Sequence, residues 1–87
     1  MALSQLEAEV LSLLKMDGET TELLYEMLAD DDQRAVGSAR GLTGFLEGLE
    51  DRGLVKATTE PSPTSRQEDT VWWDLTRAGV AALREPA

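Results

Sequence analysis

The sequence lacks the side chains on which many enzymes and metal sites depend. Its 87 residues include no cysteine and no histidine. The absence of cysteine excludes disulfides, thiolate metal ligands and thiol nucleophiles, and the absence of histidine removes the commonest general base and metal ligand. Carboxylates are abundant, but they fall on predicted solvent faces, where no pocket would hold an acid–base pair. We therefore expect no enzyme, no metal centre and no cofactor.

Long hydrophobic runs and basic residues are also scarce. No apolar stretch approaches the length needed to span a membrane. The first ten residues, MALSQLEAEV, lack the basic segment of a secretory signal, so we expect a cytoplasmic protein without membrane contact. The chain has 8 basic residues against 17 acidic ones and a net charge of −9, which argues against non-specific affinity for nucleic acid.

The acidic residues are concentrated in the first third of the chain. Residues 1–32 contain nine of them and a single basic residue, Lys15, whereas residues 33–66 contain five basic residues and four acidic ones. Segment 33–43 holds Arg34 and Arg40 and no carboxylate. Two explanations of the acidity stay open. It can serve a function, or it can reflect a high-salt host, because few lysines and many acids resemble proteins of salt-loving organisms.

Leucine-rich helical periodicity predicts two well-defined helices before residue 53. The first runs from about Ser4 to Met16, with Ser4 and Glu7 at capping-box spacing, and we expect Gly18 to end it in a left-handed conformation. The other runs from about Ser38 to Arg52. Its expected left-handed end is at Gly53.

A shorter helix lies between these two. Thr20 or Thr21 can cap it, and its pattern stops near Ala29. The acidic run at residues 30–32 would be unfavourable at a helix C-terminus, so we interpret it as a solvated turn. A calcium site is a weaker alternative, since the spacing of an EF-hand loop is absent.

The C-terminal third predicts a β-hairpin and a last helix. Residues 54–59 and 70–75 suit strands, and the polar segment of about residues 60–69 joins them. Side chains alternate across a strand, so Trp73 should enter the core and Trp72 should face outward. Thr76 can cap the final helix. We expect one domain over residues 1–87.

This element order is similar to a winged-helix domain, and two motifs support the likeness. Leu46, Leu49-Glu50 and Gly53-Leu54-Val55 resemble the "L..LE..GLV" end of a recognition helix, and residues 73–79, WDLTRAG, resemble the "Y.LT..G" that follows a wing. Both motifs are frequent in PadR-like and MarR-like regulators. The resemblance implies an α+β, mostly helical fold: a winged helix-turn-helix with a three-helix core, a two-stranded wing and a short C-terminal helix.

The resemblance also implies binding of duplex DNA, as a dimer, through the third predicted helix and the wing. By position, the expected contacts are Arg34, Ser38, Arg40, Thr43, Gly44 and Glu47, with Arg66 on the wing. The sequence departs from the pattern in two places. Thr43 or Gly44 stands where such regulators often carry Tyr or a basic residue, and Arg66 is accompanied by two acidic residues in the wing.

Glycine is unusually frequent in the third predicted helix. Gly37, Gly41, Gly44 and Gly48 fall on one side of it, and each interior glycine costs about 0.8–1 kcal/mol relative to alanine. Close approach of another backbone would explain them. We favour packing against the second helix or the wing, with a second subunit or DNA as alternatives. The helix can also begin later, near Leu42.

The second hypothesis keeps the fold and changes the partner. An acidic winged-helix module, of the antirepressor or DNA-mimic kind, would bind a protein and not DNA. Its contacts would include Trp72, Gly41, Gly44 and Gly48, or the acidic first two helices. Trp72 would then be an anchor; otherwise it covers the stem of Lys56 or Arg66 across the hairpin. We favour the DNA-binding regulator.

Overall fold

The computed structural model describes residues 3–61 and 69–84. The elements are α1 (Gln5–Met16), β1 (Glu19–Thr20), α2 (Thr21–Met27), α3 (Asp30–Val36), α4 (Ala39–Asp51), β2 (Val55–Glu60), β3 (Thr70–Leu75) and α5 (Arg77–Arg84). The strands form an antiparallel sheet in the order β1-β3-β2. This is a winged helix-turn-helix: α4 is the helix that precedes the wing, and β2 and β3 form the wing.

The hydrophobic core lies between the helices and one face of the sheet. Leu11 of α1, Leu24 of α2 and Leu46 of α4 have no exposed surface. Val55 and Trp73 add the sheet's contribution, with 2% and 3% of their surface exposed. Burying one such side chain contributes about 1.5–3 kcal/mol. The helical spacing of the leucines in the sequence places them on the faces that pack together in this core.

Helix α1 begins and ends where the sequence predicts, but the conformation after its last residue differs from the prediction. The Ser4 hydroxyl accepts a hydrogen bond from the Glu7 backbone N–H at 3.1 Å, and the Glu7 carboxylate accepts one from the Ser4 N–H at 2.8 Å. At the other end, Asp17 is extended, and Gly18 is not among the glycines with positive φ. The predicted left-handed cap at Gly18 is therefore wrong. Gly18 instead leaves room for the Asp74 carboxylate, which a Cβ would meet.

Glu7 also connects α1 to the end of α4. Its Oε2 accepts a hydrogen bond from Nη1 of Arg52. The hydrogen bond from the Ser4 backbone, with a further contribution from Arg52, lowers the pKa of Glu7 below its ordinary value of 4.5, although partial burial opposes the shift. The charged carboxylate is therefore favoured in the folded state.

We expect Glu7→Gln to destabilise the protein at pH 7 by about 0.5–1 kcal/mol, the usual range for a partly exposed ion pair. Glutamine keeps the capping geometry and removes the charge. Because the folded-state pKa is lowered, the charge stabilises fully above the unfolded pKa and the effect is lost as pH falls through the folded pKa. Urea unfolding from pH 7 to pH 3 should show the two proteins converging in acid. An unchanged gap at pH 3 would contradict the ion pair.

Helix α3 corrects the prediction of a solvated turn after the second helix. Asp30, Asp31 and Asp32 form its first turn, and α2 already ends at Met27. Carboxylates are favourable at the positive N-terminus of a helix, and here Ala29 supplies no side-chain cap. The fold therefore has one helix more than the three-helix core that the sequence predicted. The two-residue strand β1 was also missed, because two residues are too few to show alternation.

Helix α4 agrees with its prediction to within one residue at each end. Ser38 caps it by accepting a hydrogen bond from the Gly41 N–H at 3.1 Å. Gly53 has a φ of 77°, the left-handed conformation that glycine favours, and the Leu54 N–H closes the end by donating to the Leu49 carbonyl at 3.0 Å. Gly37, with a φ of 84°, ends α3 and so lies outside α4.

The two motifs that suggested the fold are in contact with each other. The Thr76 N–H donates to the Leu54 carbonyl at 3.1 Å, and the Thr76 hydroxyl donates to the Gly53 carbonyl at 2.6 Å. The same hydroxyl accepts from the Gly79 N–H at 3.0 Å, capping α5. A Cβ on Gly79 would collide with the Leu54 carbonyl oxygen. These residues thus join the end of α4 to the start of α5, and their role is structural.

The hairpin has the sidedness that the sequence predicts. Trp73 pairs with Ala57 and Trp72 with Thr58. Trp73 is buried, and its indole Nε1 donates to the Thr21 hydroxyl at 2.9 Å. Trp72 lies half-buried on the opposite face. The prediction that one indole enters the core and the other faces outward is confirmed.

Candidate nucleic-acid interface

Helix α4 presents a face whose charge changes along its length. Leu42, Leu46 and Leu49 are buried in the core. The exposed positions of this helix include a cation near its start and carboxylates towards its end: Arg40, Gly44, Glu47, Gly48 and Asp51. Only the N-terminal half of this face is therefore suited to phosphate or base contacts.

Arg34 and Arg40 lie on either side of the turn between α3 and α4. Arg34 lies in the last turn of α3 and Arg40 in the first turn of α4, and both are exposed. Within residues 3–61 and 69–84, no carboxylate forms an ion pair with either guanidinium. Two cations next to a turn, without intramolecular partners, are available to an anionic ligand.

The other residues predicted to contact DNA differ in exposure and in hydrogen bonding. The Ser38 hydroxyl is used as the N-cap of α4. Thr43 is half-buried and its hydroxyl donates to the Ala39 carbonyl at 3.2 Å, while Glu47 is exposed. Arg66 lies outside the described residues. The structure thus brings Arg34, Ser38 and Arg40 to one end of α4 and leaves Glu47 further along the same helix.

The glycines of α4 divide into two kinds. A Cβ on Gly41 would collide with the Val36 carbonyl oxygen, so this glycine permits α3 and α4 to approach closely. At Gly44 and Gly48 a Cβ would have no described atom within 4 Å. Gly41 is therefore explained by packing within the chain, but against α3 and not against the second helix or the wing as favoured from the sequence. Gly44 and Gly48 have no described packing neighbour, and their open surface fits an external partner.

An acidic groove runs between α4 and the hairpin. It has a volume of about 640 Å³, and Thr21, Thr43 and Thr59 contribute to its walls. Among the described residues its charged lining is acidic and comes from α2, α4 and the segment that begins the hairpin's second half: Glu22, Glu47, Glu50, Asp51 and Asp69. Such a lining repels phosphate, so this groove is an unfavourable surface for DNA.

Sequence reasoning identified only part of this groove. Glu47 and Asp51 could be placed on one face of the helix by their spacing. Glu22 and Asp69 are distant in sequence and reach the same groove only because the sheet packs against α2 and α4. Glu50 has a further role, since its Oε2 accepts a hydrogen bond from the Ala57 N–H at 3.1 Å and so satisfies the edge of β2.

The described residues contain neither a candidate metal site nor a candidate membrane-spanning helix. Among residues 3–61 and 69–84, no group of three or more carboxylates has a geometry that could hold a metal ion. In that same part of the chain no helix has the length and apolarity required to cross a bilayer.

Comparison with solved structures supports the fold. The structure is similar to the zinc-responsive MarR family member ZitR of Lactococcus lactis, with a TM-score of 0.71 and 21% sequence identity. The match covers 98% of this chain and 51% of that one, so the chain spans about half the length of that protein. No protein-family model matches the sequence, and no curated protein matches it significantly. The fold class is therefore the winged helix.

Proposed function

We propose that this chain is a transcriptional regulator that binds duplex DNA through the N-terminal half of α4 and the preceding turn. The winged helix-turn-helix fold supports this proposal by analogy, since in that fold the exposed helix after the turn enters the major groove. Fold analogy alone does not establish function. The surface of α4 adds evidence specific to this chain.

The observation that carries the proposal is the open surface at the α4 glycines, near two arginines that have no ion-pair partner among the described residues. Gly44 and Gly48 have no described neighbours that require a glycine, yet each lowers helix stability by about 0.8–1 kcal/mol. A helix without side chains at these positions can lie closer to a DNA backbone. Of the two glycines, Gly44 is the nearer to Arg40, which lies in the first turn of α4 and is placed to contact a phosphate or the O6 and N7 atoms of guanine.

A salt-dependent titration against random-sequence duplex DNA tests the proposal. We expect binding at low salt whose affinity falls linearly with log salt. Arg40→Ala should weaken binding and, if Arg40 contacts a phosphate, lower the salt slope by about 1. Arg84→Ala is the matched control, because it removes the same charge from the exposed end of α5, and it should bind like the parent.

Two results would contradict DNA binding by this surface. One is the absence of binding at low salt. The other is an equal loss of affinity in Arg40→Ala and Arg84→Ala, since that would reflect net charge and not a contact. Fluorescence anisotropy with a labelled 25-base-pair duplex can measure both proteins under identical conditions.

A specific observation also favours the second candidate, an acidic module that binds a protein. The groove between α4 and the hairpin carries five carboxylates and no basic residue among its described lining, and the chain has a net charge of −9. A basic protein surface is complementary to both features. The same titration separates the candidates, because such a module would fail to bind duplex DNA at low salt.

A further inference from the structure

The outer face of the sheet carries a second groove, on the side opposite the core. It has a volume of about 570 Å³ and crosses from the end of α1 to the end of β2. Its lining combines one indole with small, polar and acidic residues: Asp17, Gly18, Thr58, Thr59, Glu60, Pro61, Trp72 and Asp74. This groove lies away from the face of α4 proposed to bind DNA, so it requires a separate explanation.

Trp72 is held in a defined orientation within this groove. Its Nε1 donates a hydrogen bond to Oε2 of Glu60 at 2.9 Å. Its strand neighbours are Thr58 on β2 and Thr20 on β1, and both side chains are too small to cover an indole. One part of the ring is thus fixed and another stays accessible, which explains why Trp72 is half-buried.

Three carboxylates line the groove that contains the indole. Glu60 accepts a hydrogen bond from the indole N–H, while Asp17 and Asp74 line the same groove. Gly18 brings Asp74 against the turn before β1, because a Cβ there would occupy the place of the Asp74 carboxylate. An aromatic ring bordered by carboxylates attracts cations through both its quadrupole and the charges around it.

One cation of the chain lies on the same face of the sheet. Lys56 is opposite Asp74 in the β2–β3 register, but it does not line the groove. Within the described part of the chain, no ion pair joins it to Asp74. Lys56 therefore leaves the groove carboxylates available to an external cation.

We propose that this groove binds an arginine side chain from a basic segment of a protein partner. A planar guanidinium can stack on the accessible indole while its N–H groups donate to the carboxylates beside it, a combination that a lysine ammonium provides less well. The groove extends across three strands, so residues flanking the arginine can contact Thr58 and Pro61. Trp and Arg are among the commonest hot-spot residues of protein interfaces.

An NMR titration of the full chain tests this site directly. The probe is a capped Gly-Arg-Gly-Arg-Gly peptide at 0.15 M salt, and the control peptide carries neutral citrulline in place of each arginine. The two indole N–H signals are assigned with Trp72→Leu, which removes one of them. We expect the arginine peptide to shift the Trp72 indole signal saturably and to leave the buried Trp73 signal in place.

Variants then separate a specific site from general attraction to an acidic protein. Trp72→Leu should weaken peptide binding about fivefold or more, the effect of losing a cation–π contact of moderate strength. Asp74→Asn should also weaken it, whereas Glu47→Gln removes the same charge from the other groove and should leave affinity unchanged. The dispersed Trp73 indole signal shows that each variant is folded.

Three results would overturn the proposal. The Trp72 signal could stay in place throughout the titration, the citrulline peptide could bind as tightly as the arginine peptide, or Asp74→Asn and Glu47→Gln could weaken binding equally. None of these results bears on binding of duplex DNA by α4. Conversely, failure of the DNA titration would leave the arginine site intact.

Discussion

Trp73→Ala is expected to destabilise the protein by about 3–5 kcal/mol, the usual cost of emptying a buried tryptophan site. Trp73 is 3% exposed, and its indole N–H bonds the Thr21 hydroxyl across the core. Trp72→Ala should cost well under half as much, because that ring is half-buried on the outer face. Domains of this size are stable by about 5–15 kcal/mol, so the first variant should be close to unfolding.

Urea denaturation followed by circular dichroism measures both tryptophan variants. A third variant, Thr21→Val, separates the hydrogen bond from the volume of the ring. It leaves the buried indole N–H without its partner and should cost about 1–3 kcal/mol. Equal destabilisation by Trp72→Ala and Trp73→Ala would contradict the sidedness of the hairpin, and with it the placement of the outer groove.

The double variant Gly44→Ala/Gly48→Ala should change stability in the opposite direction. Both glycines lie in α4 with open space where a Cβ would extend, so alanine brings its higher helix propensity without a clash. We expect a gain of about 2 kcal/mol for the pair, which raises the melting temperature by about 8–16 °C in a domain of this size. Affinity for duplex DNA should fall in the same protein, since the methyl group added at Gly44 would hold the N-terminal half of α4 away from the DNA backbone.

Gly41→Ala is the matched control for this experiment. It adds the same methyl group to the same helix, but there the Cβ would meet the Val36 carbonyl oxygen, so the variant should be destabilised. Differential scanning calorimetry of the variants, paired with DNA titrations, separates the two effects. If the double variant were destabilised, Gly44 and Gly48 would have an intramolecular role. If it were stabilised with unchanged DNA affinity, the open glycine surface would not be the contact.

The sequence predicted best those elements whose signal lies within a few neighbouring residues. The Ser4 and Glu7 capping box defines the start of α1, Ser38 and Gly53 define the ends of α4, and alternation places Trp73 inside. Each depends on a local hydrogen bond or on strand geometry. The winged helix-turn-helix fold followed from these elements and their order.

The features that were missed depend on tertiary context. The acidic run of residues 30–32 is compatible with the turn after one helix or with the start of the next, and only packing against α2 and α4 decides between them. The side chain of Gln33 illustrates this, since its Nε2 donates to the Tyr25 carbonyl at 2.7 Å and joins α3 to α2. Gly18 was assigned a left-handed turn because its role, space for Asp74, involves a residue 56 positions later.

The candidate site was predicted in the same uneven way. Arg34 and Arg40 could be placed beside one turn because they are close in sequence. The acidic groove could not be foreseen, since its carboxylates come from α2, α4 and the hairpin. The division of the glycines into Gly41, where the Val36 carbonyl leaves no room for a Cβ, and Gly44 and Gly48, which face open space, also required the structure.

The measurement that tests the central claim most directly is an NMR titration of the labelled chain with a short DNA duplex. Backbone amides of Ser38, Gly41 and Gly44 report the N-terminal half of α4, and Thr58 and Trp72 report the outer sheet face. DNA contact through α4 predicts salt-sensitive shifts concentrated in the first group, with the second group unchanged. Shifts concentrated on the outer sheet face, or none at low salt, would contradict it.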